Sequence, residues 1–327
     1  MKKILLCLAF MLMIPATSYA KKPKMCVSDW PLWETIHAMS ELNQLDEFDF
    51  RYERYETCIN LFQAGVTDLA FMSLYEFIAL QRQDNNGIII AATDYSAGGD
   101  GIVLRENVTS LKGKTIALQT NSLGLYLMHL YLKKQDLSLN DIRLLNVAAE
   151  RVSASFLKTP SLAGLVGWNP YMDDAINGGG KLAATSADFP ENIFDLVVIN
   201  KRSLDTNREL YIDFLKKYFA AVNNPDVLEK MAELTKVSVS EFQVWLTDSY
   251  NYKTASDSLT SFPRMKQVAH EVQEFFKVAP KTLKGKARNA FGDIPLDIEP
   301  LFDESFLKEL ITQEPENKPQ VDTAASN

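Results

Sequence analysis

An α/β fold of two lobes joined by a two-segment hinge, with a helical C-terminal extension, is what this sequence predicts, and three observations carry it. Short β-rich runs alternate with helical ones as far as Asn200, the order that builds parallel sheets with helices on their faces. From Arg208 onward the pattern is nearly all helical, so the late helices need a sheet to cover. About 307 residues remain once an N-terminal leader is set aside, more than one core needs at roughly 100–200 residues per domain.

The leader is residues 1–20. Lys2 and Lys3 give a positive start, Ile4 to Ile14 is almost wholly apolar, and Pro15 breaks the run. Ser18-Tyr19-Ala20 then offers small residues at the two positions a signal peptidase inspects. The apolar run falls well short of the roughly 20 residues that span a bilayer. Cys7 follows Leu5-Leu6, without the small residue that precedes a lipidated cysteine, so the expectation is cleavage after Ala20 and free release.

The first unit starts with a strand over Lys24–Ser28 and a helix over Leu32–Met39. Phe48–Tyr55 alternates as a strand does, Cys58–Ala64 is helical, and Gly65 closes that helix where left-handed backbone suits glycine. A strand at Asp68–Met72, a helix at Tyr75–Gln81 and a strand at Gly87–Ala92 follow, then glycines 98, 99 and 101 and the run Ile102–Arg105. The second unit has strands at Lys114–Gln119, Ile142–Val147, Leu162–Gly167 and Lys181–Ala184, with helices at Ser122–Lys133, Val152–Leu157 and Pro170–Ile176. Leu196–Asn200 is a strong apolar strand, and helices follow at Glu209–Val222, Asp226–Thr235, Val239–Leu246, Phe262–Lys277 and Glu304–Thr312. The economical arrangement returns the chain to the first lobe. Lobe 1 is then residues 21–101 and 199–312, lobe 2 is 102–198, and the polar stretch 313–327, with Pro315 and Pro319, is a disordered tail.

Composition narrows the function. Formal charge is −8, and losing Lys2 and Lys3 with the leader takes it to −10, which argues against nucleic acid, whose phosphates need clustered Lys and Arg. The three histidines (His37, His129, His270) form no His-Glu-x-x-His helix, and no Cys-x-x-Cys occurs, so neither a metal nor another cofactor is expected. Glu34 and His37, three apart on a helix, are expected to be an exposed pair, and Asp173-Asp174 to face solvent. Gly113-Lys114-Thr115 resembles the end of a phosphate loop, but Val108 stands where that motif needs glycine. No Gly-x-Ser-x-Gly elbow is present, and nothing calls for catalysis. Cys26 and Cys58, which outlast the leader, either pair or remain as two buried thiols.

Ligands in such sheets bind beyond the carboxyl ends of the strands, and the chemistry gathers there. Trp30 and Trp33, next to Asp29, follow the first strand and offer π-faces to a cation or an apolar group, or else pack against the lobe. Ser73 stands at a helix start, as a ligand contact or a simple cap. Thr93 to Gly101 brings Tyr95, Ser96, Gly99 and Asp100 to a segment suited to binding or to a hinge. Asn121 and Ser122, after Thr120, open a helix whose free N–H groups would cradle an anion or a carbonyl oxygen, or merely receive a cap. Trp168 and Asn169, ahead of Pro170, sit where an apolar strand meets a helix. Asp195 meets a cationic ligand or holds the hinge. The expected ligand-binding set is therefore Trp30, Trp33, Ser73, Tyr95, Ser96, Gly99, Asp100, Asn121, Ser122, Trp168, Asn169 and Asp195.

These junctions, in this order, resemble a known family. Tyr55-Glu56-Thr57 with Ala64-Gly65-Val66-Thr67-Asp68, Asp94-Tyr95-Ser96 through Gly99-Asp100-Gly101-Ile102-Val103, and Leu111-Lys112-Gly113-Lys114 carry the likeness. Val166-Gly167-Trp168-Asn169-Pro170-Tyr171, Thr185-Ser186 through Pro190, and Asp195-Leu196-Val197-Val198 with Asn200 complete it. The chain resembles the periplasmic substrate-binding proteins of ABC importers for nitrate, sulfonates and taurine, most of all the urea/amide-binding subgroup. The likeness covers residues 24–220 and fades in the C-terminal helices, although Leu301-Phe302-Asp303 is similar to a family ending.

The resemblance implies a type II periplasmic binding fold and a monomer in the periplasm. It implies capture of a small polar molecule (an amide, amine, sulfonate or related compound) between the lobes, and delivery to an ABC permease in the inner membrane. Sulfonate and nitrate binders often hold their anion at the helix start matching 120–122, where this chain has no Lys or Arg. Two other functions stay open: a ligand sensor coupled to a membrane receptor, and a periplasmic enzyme on the same fold.

Overall fold

The computed structural model describes residues 21–84, 86–278 and 294–313; the expected leader, and the tail beyond Gln313, lie outside the described residues. Two mixed sheets organise the chain. The first is built from β1 (Lys24–Val27), β2 (Asp49–Tyr52), β3 (Leu69–Ser73), β4 (Gly87–Ser96), β10 (Phe194–Asn200) and β11 (Ser249–Asn251), in the order β11-β4-β10-β3-β1-β2. The second holds β5 (Asp100–Arg105), β6 (Thr115–Leu118), β7 (Arg143–Asn146), β8 (Gly164–Trp168) and β9 (Gly180–Thr185), in the order β7-β6-β8-β5-β9.

The expectation of parallel sheets needs correction. β1 pairs in parallel with β2 and β3, and β6 with β7 and β8. However, β10 runs antiparallel to β3 and β4, and β5 antiparallel to β8 and β9. β5 and β10 are the first strands laid down after each crossing, so each enters its new sheet from the side facing the other. β3 and β10 are buried at every residue and β4 at all but one, as strands with both faces covered must be.

The crossings lie side by side. One runs from Ser96 to Asp100, with Gly98 at φ +148°, a conformation that glycine tolerates and other residues rarely adopt. The other lies between β9 and β10. The hydroxyls of Ser96 and Ser186 meet at 2.8 Å, and the Gly98 N–H donates to the Ser186 hydroxyl at 2.8 Å. Phe194–Asn200 pairs along its length with β4.

Helices cover both sheets: α1 (Glu34–Glu41), α2 (Tyr55–Gln63) and α3 (Leu74–Gln81) in the first unit, and α4 (Leu123–Lys133), α5 (Val152–Lys158) and α6 (Tyr171–Asn177) in the second. From Lys201 the chain is mainly helical, as expected, but the first of these helices starts at Lys201 and kinks at Asn207, so the expected start at Glu209 falls just past the kink. β11 interrupts the helical run as an edge strand that alternation did not reveal. Gln313 closes the Ser305–Gln313 helix. Cys26 and Cys58 form a disulfide between β1 and α2. Glu34 is not the exposed partner expected of it. It is 2% exposed, accepts from Tyr52 and meets His37 at 2.9 Å, because β2 lays Tyr52 against the start of α1.

Candidate ligand-binding site

Strand ends and helix starts from both sheets converge on one cavity of about 30 Å³. Ser28, Asp29 and Trp30 follow β1, Trp33 ends the 3-10 turn Pro31–Trp33, Tyr55 opens α2, and Asp195 lies on β10. From the opposite side come Asp100 at the start of β5, Leu123 at the start of α4 and Trp168 at the end of β8. Asp100 and Trp168 are register partners on adjacent strands. A recess of about 80 Å³ shares Asp29, Tyr55 and Trp168 with the cavity, and Arg54 and Glu150, paired at 3.3 Å, stand on its rim.

Four rings run around the cavity in sequence. Centroids of Trp30 and Trp33 lie 6.4 Å apart, Trp33 and Tyr55 5.7 Å, and Tyr55 and Trp168 6.4 Å. The indole N–H groups of the first two are engaged elsewhere: Trp30 Nε1 donates to Asp94 Oδ2 at 3.1 Å and Trp33 Nε1 to Thr93 Oγ1 at 3.3 Å. What those rings offer the cavity is carbon. A bulge makes this possible, since β10 pairs Asp195 with Asp94 and Leu196 with Ala92, leaving Thr93 without a register partner there. The Thr93 hydroxyl also donates to Asp94 Oδ1 at 2.7 Å, so the bulge anchors both indoles.

The polar lining is acidic. Asp29, Asp100 and Asp195 belong to the lining, and among the described residues no Lys, Arg or His does. Burial pushes the Asp100 carboxyl up to about 7, against a hydrogen bond from Ser96, with Glu76 and Asp94 adding to the rise. Burial also holds Asp195 well above the usual carboxylate range, and the neighbouring Asp94, Asp100 and Glu76 raise it further. Asp94 is likewise raised by burial. Asp94 and Asp195 are opposed on β4 and β10 and hydrogen-bonded to one another, and two adjacent buried carboxylates cannot both ionise cheaply, which adds to the rise of Asp195. Asp29 stands at the mouth, partly in solvent, yet crowding by protein atoms still raises it.

The helix start at Thr120–Ser122 is not an open cradle. Thr120 N–H donates to Asn146 Oδ1 at 2.9 Å, Ser122 N–H to the Gln119 carbonyl at 3.3 Å, and Leu123 N–H to Glu76 Oε1 at 2.9 Å. The carboxylate that completes this helix start is the protein's own. Glu76 also accepts from the Ser73 hydroxyl and bonds the Tyr55 hydroxyl, and burial raises its pKa.

Of the residues singled out by sequence, Trp30, Trp33, Asp100, Trp168 and Asp195 line the cavity. Ser73 lies behind it, where its N–H donates to Tyr55 Oη at 3.0 Å. Ser96 bonds Asp100 and the second crossing. Gly99 supports Trp30 from below: a Cβ there would stand 2.7 Å from that ring. Asn169 donates to Asp248 Oδ2 at 2.9 Å. Ser122 turns its hydroxyl to the Gln119 carbonyl, and Asn121 faces a groove with Glu56, Asn146 and Arg151 that meets the recess at Glu56 and Gln119. Tyr95 stacks on Tyr250 along the β4–β11 edge, centroids 5.1 Å apart. Ser28, Asp29, Tyr55 and Leu123 were missing from the sequence-derived set. Tyr55 was hidden by a strand pattern that ran through it, whereas Asp29 stands directly before Trp30, which the set contains.

No protein-family model matches the sequence, and no curated protein does. Solved structures do. The alkanesulfonate-binding protein SsuA from Xanthomonas axonopodis pv. citri, bound to MOPS, superimposes with a TM-score of 0.64 at 12% identity, covering 80% of this chain and 95% of that one. The ligand-binding component of an ABC-type import system from Staphylococcus aureus gives 0.61 at 12% identity, covering 88% and 98%. A Candida albicans protein described as having the generic periplasmic binding protein fold gives 0.59 at 11%, covering 85% and 99%. These likenesses establish the fold.

Proposed function

We propose, from the periplasmic binding protein fold that this chain has, that it captures a small solute in the cavity between its two sheets and hands it to an ABC permease. One observation carries the reading: a small cavity is walled from both sheets, beside the two crossings that connect them. Such a pair of crossings lets the units hinge, and a solute that bonds to both walls stabilises the closed form. The descriptions of the SsuA and Staphylococcus aureus neighbours as binding components support binding over catalysis, and the leader-like residues 1–20 support the periplasm as its place of work.

The test is to purify the protein from periplasm and compare it with the same protein unfolded, dialysed and refolded. Native mass spectrometry is expected to show a small molecule on the first sample that is missing from the second. Small-angle scattering is expected to show the loaded form as the more compact. Identical masses and identical scattering, with no response of the refolded protein to a broad solute panel, would overturn the reading.

A further inference from the structure

We infer that the solute is a small organic cation, an amine or alkylammonium, held by the ring chain and the acidic wall of the cavity. This rests on the solute-binding reading above and goes on to fix the charge of what is bound. Three independent features point the same way.

The first is the wall itself. Trp30, Trp33, Tyr55 and Trp168 succeed one another at centroid spacings of 5.7–6.4 Å, and two of the indoles have their N–H groups tied to β4. Ring carbon attracts a cation through its π-face and gives an anion no hydrogen bond. The second is the charge of the lining. Asp100 and Asp195 are 3% and 4% exposed, lie on opposite sheets, and share the cavity with no basic side chain. Among the described residues neither takes part in an ion pair. An ammonium group bound between them would supply the countercharge that burial makes valuable.

The third is the blocked helix start. An anion could use the N–H groups that open α4, but Leu123 N–H already serves Glu76, and Glu76 sets another carboxyl beside the cavity. A sulfonate in the ring-lined cavity would meet Asp29, Asp100 and Asp195, and among the described residues that line it no basic side chain. Cavity size limits the head group to a few heavy atoms, and the adjoining recess past Asp29 leaves room for a substituent.

The experiment is isothermal titration of the refolded protein, at fixed ionic strength and pH 7.5, with methylammonium, trimethylammonium, tetramethylammonium, choline and putrescine. Methanesulfonate and acetamide are the anionic and neutral counterparts. At least one ammonium is expected to bind saturably, with methanesulfonate and acetamide inert. Asp100→Asn and Trp168→Ala are each expected to weaken it tenfold or more while the unliganded far-UV spectrum is retained. Because either variant could misfold, the panel on the unaltered protein decides. If no ammonium binds, the inference is overturned. If methanesulfonate or acetamide binds instead, the solute-binding reading stands and only the charge assignment falls.

Discussion

The main-chain N–H of Leu123 donates to Oε1 of Glu76 across 2.9 Å, joining the first residue of α4, from one sheet's cover, to the middle of α3, from the other's. This is a buried bond between the two halves, made directly behind the cavity. Removing the carboxylate leaves the Leu123 amide, the Ser73 hydroxyl and the Tyr55 hydroxyl short of a partner. Glu76→Ala is therefore expected to cost about 1–3 kcal/mol per unsatisfied group. Urea unfolding should show a lower midpoint, and scattering a larger radius of gyration for the ligand-free protein.

Asp100 predicts a pH dependence. Its folded pKa lies at about 7 against an ordinary 3.8, with burial as the main cause. Ser96, Glu76 and Asp94 act on it, and its register partner is Trp168. The folded protein keeps a proton that the unfolded chain releases, so this contribution is present at acid pH and is lost as pH rises from about 4 to about 7. The loss is on the order of a few kcal/mol. Thermal melts of the ligand-free protein should fall between pH 5.5 and 7.5, and Asp100→Asn should flatten that slope.

Gly99 should be intolerant of a side chain for a specific reason. Its Cβ would stand 2.7 Å from a ring carbon of Trp30 and 3.5 Å from the Asp248 carbonyl oxygen, so the indole must move. Gly99→Ala is expected to cost about 1–3 kcal/mol as overpacking does. It should also shift the tryptophan emission, and both are readable in one fluorescence-monitored unfolding series.

The disulfide supports two walls of the cavity together. Cys26 precedes Asp29 by three residues, and Cys58 follows Tyr55 by three. Cross-linking a segment with a sequence separation of 32 restricts the unfolded chain by about 3–4 kcal/mol. The Cys26→Ala/Cys58→Ala double variant should lose stability of that order in urea, and a reductant should reproduce the loss in the unaltered protein.

Much of this was legible in the sequence because the signals were local. The apolar runs at β3 and β10 announced strands covered on both faces, and Trp30, Trp33 and Trp168 stood at strand ends where a cavity forms. Strand direction was not legible: β5 and β10 each run against both of their neighbours because of where the chain crosses, which no period of hydrophobicity encodes. Glu76 was passed over, although a lone acid inside the wholly buried Leu74–Gln81 helix was itself a signal. Buried acids need partners, and Glu76 finds Leu123 forty-seven residues away. Asn121 and Tyr95 carried suitable chemistry, yet fold geometry aims one at the groove beyond the recess and the other along a sheet edge.

A crystal structure of the protein as isolated from periplasm tests the account most directly. The expected map shows density for a small molecule enclosed by Trp30, Trp33, Tyr55 and Trp168, with a nitrogen within hydrogen-bonding or ion-pairing distance of Asp100 or Asp195. A solute bound instead in the groove beside Asn121 and Arg151, with the ring-lined cavity empty, would contradict it.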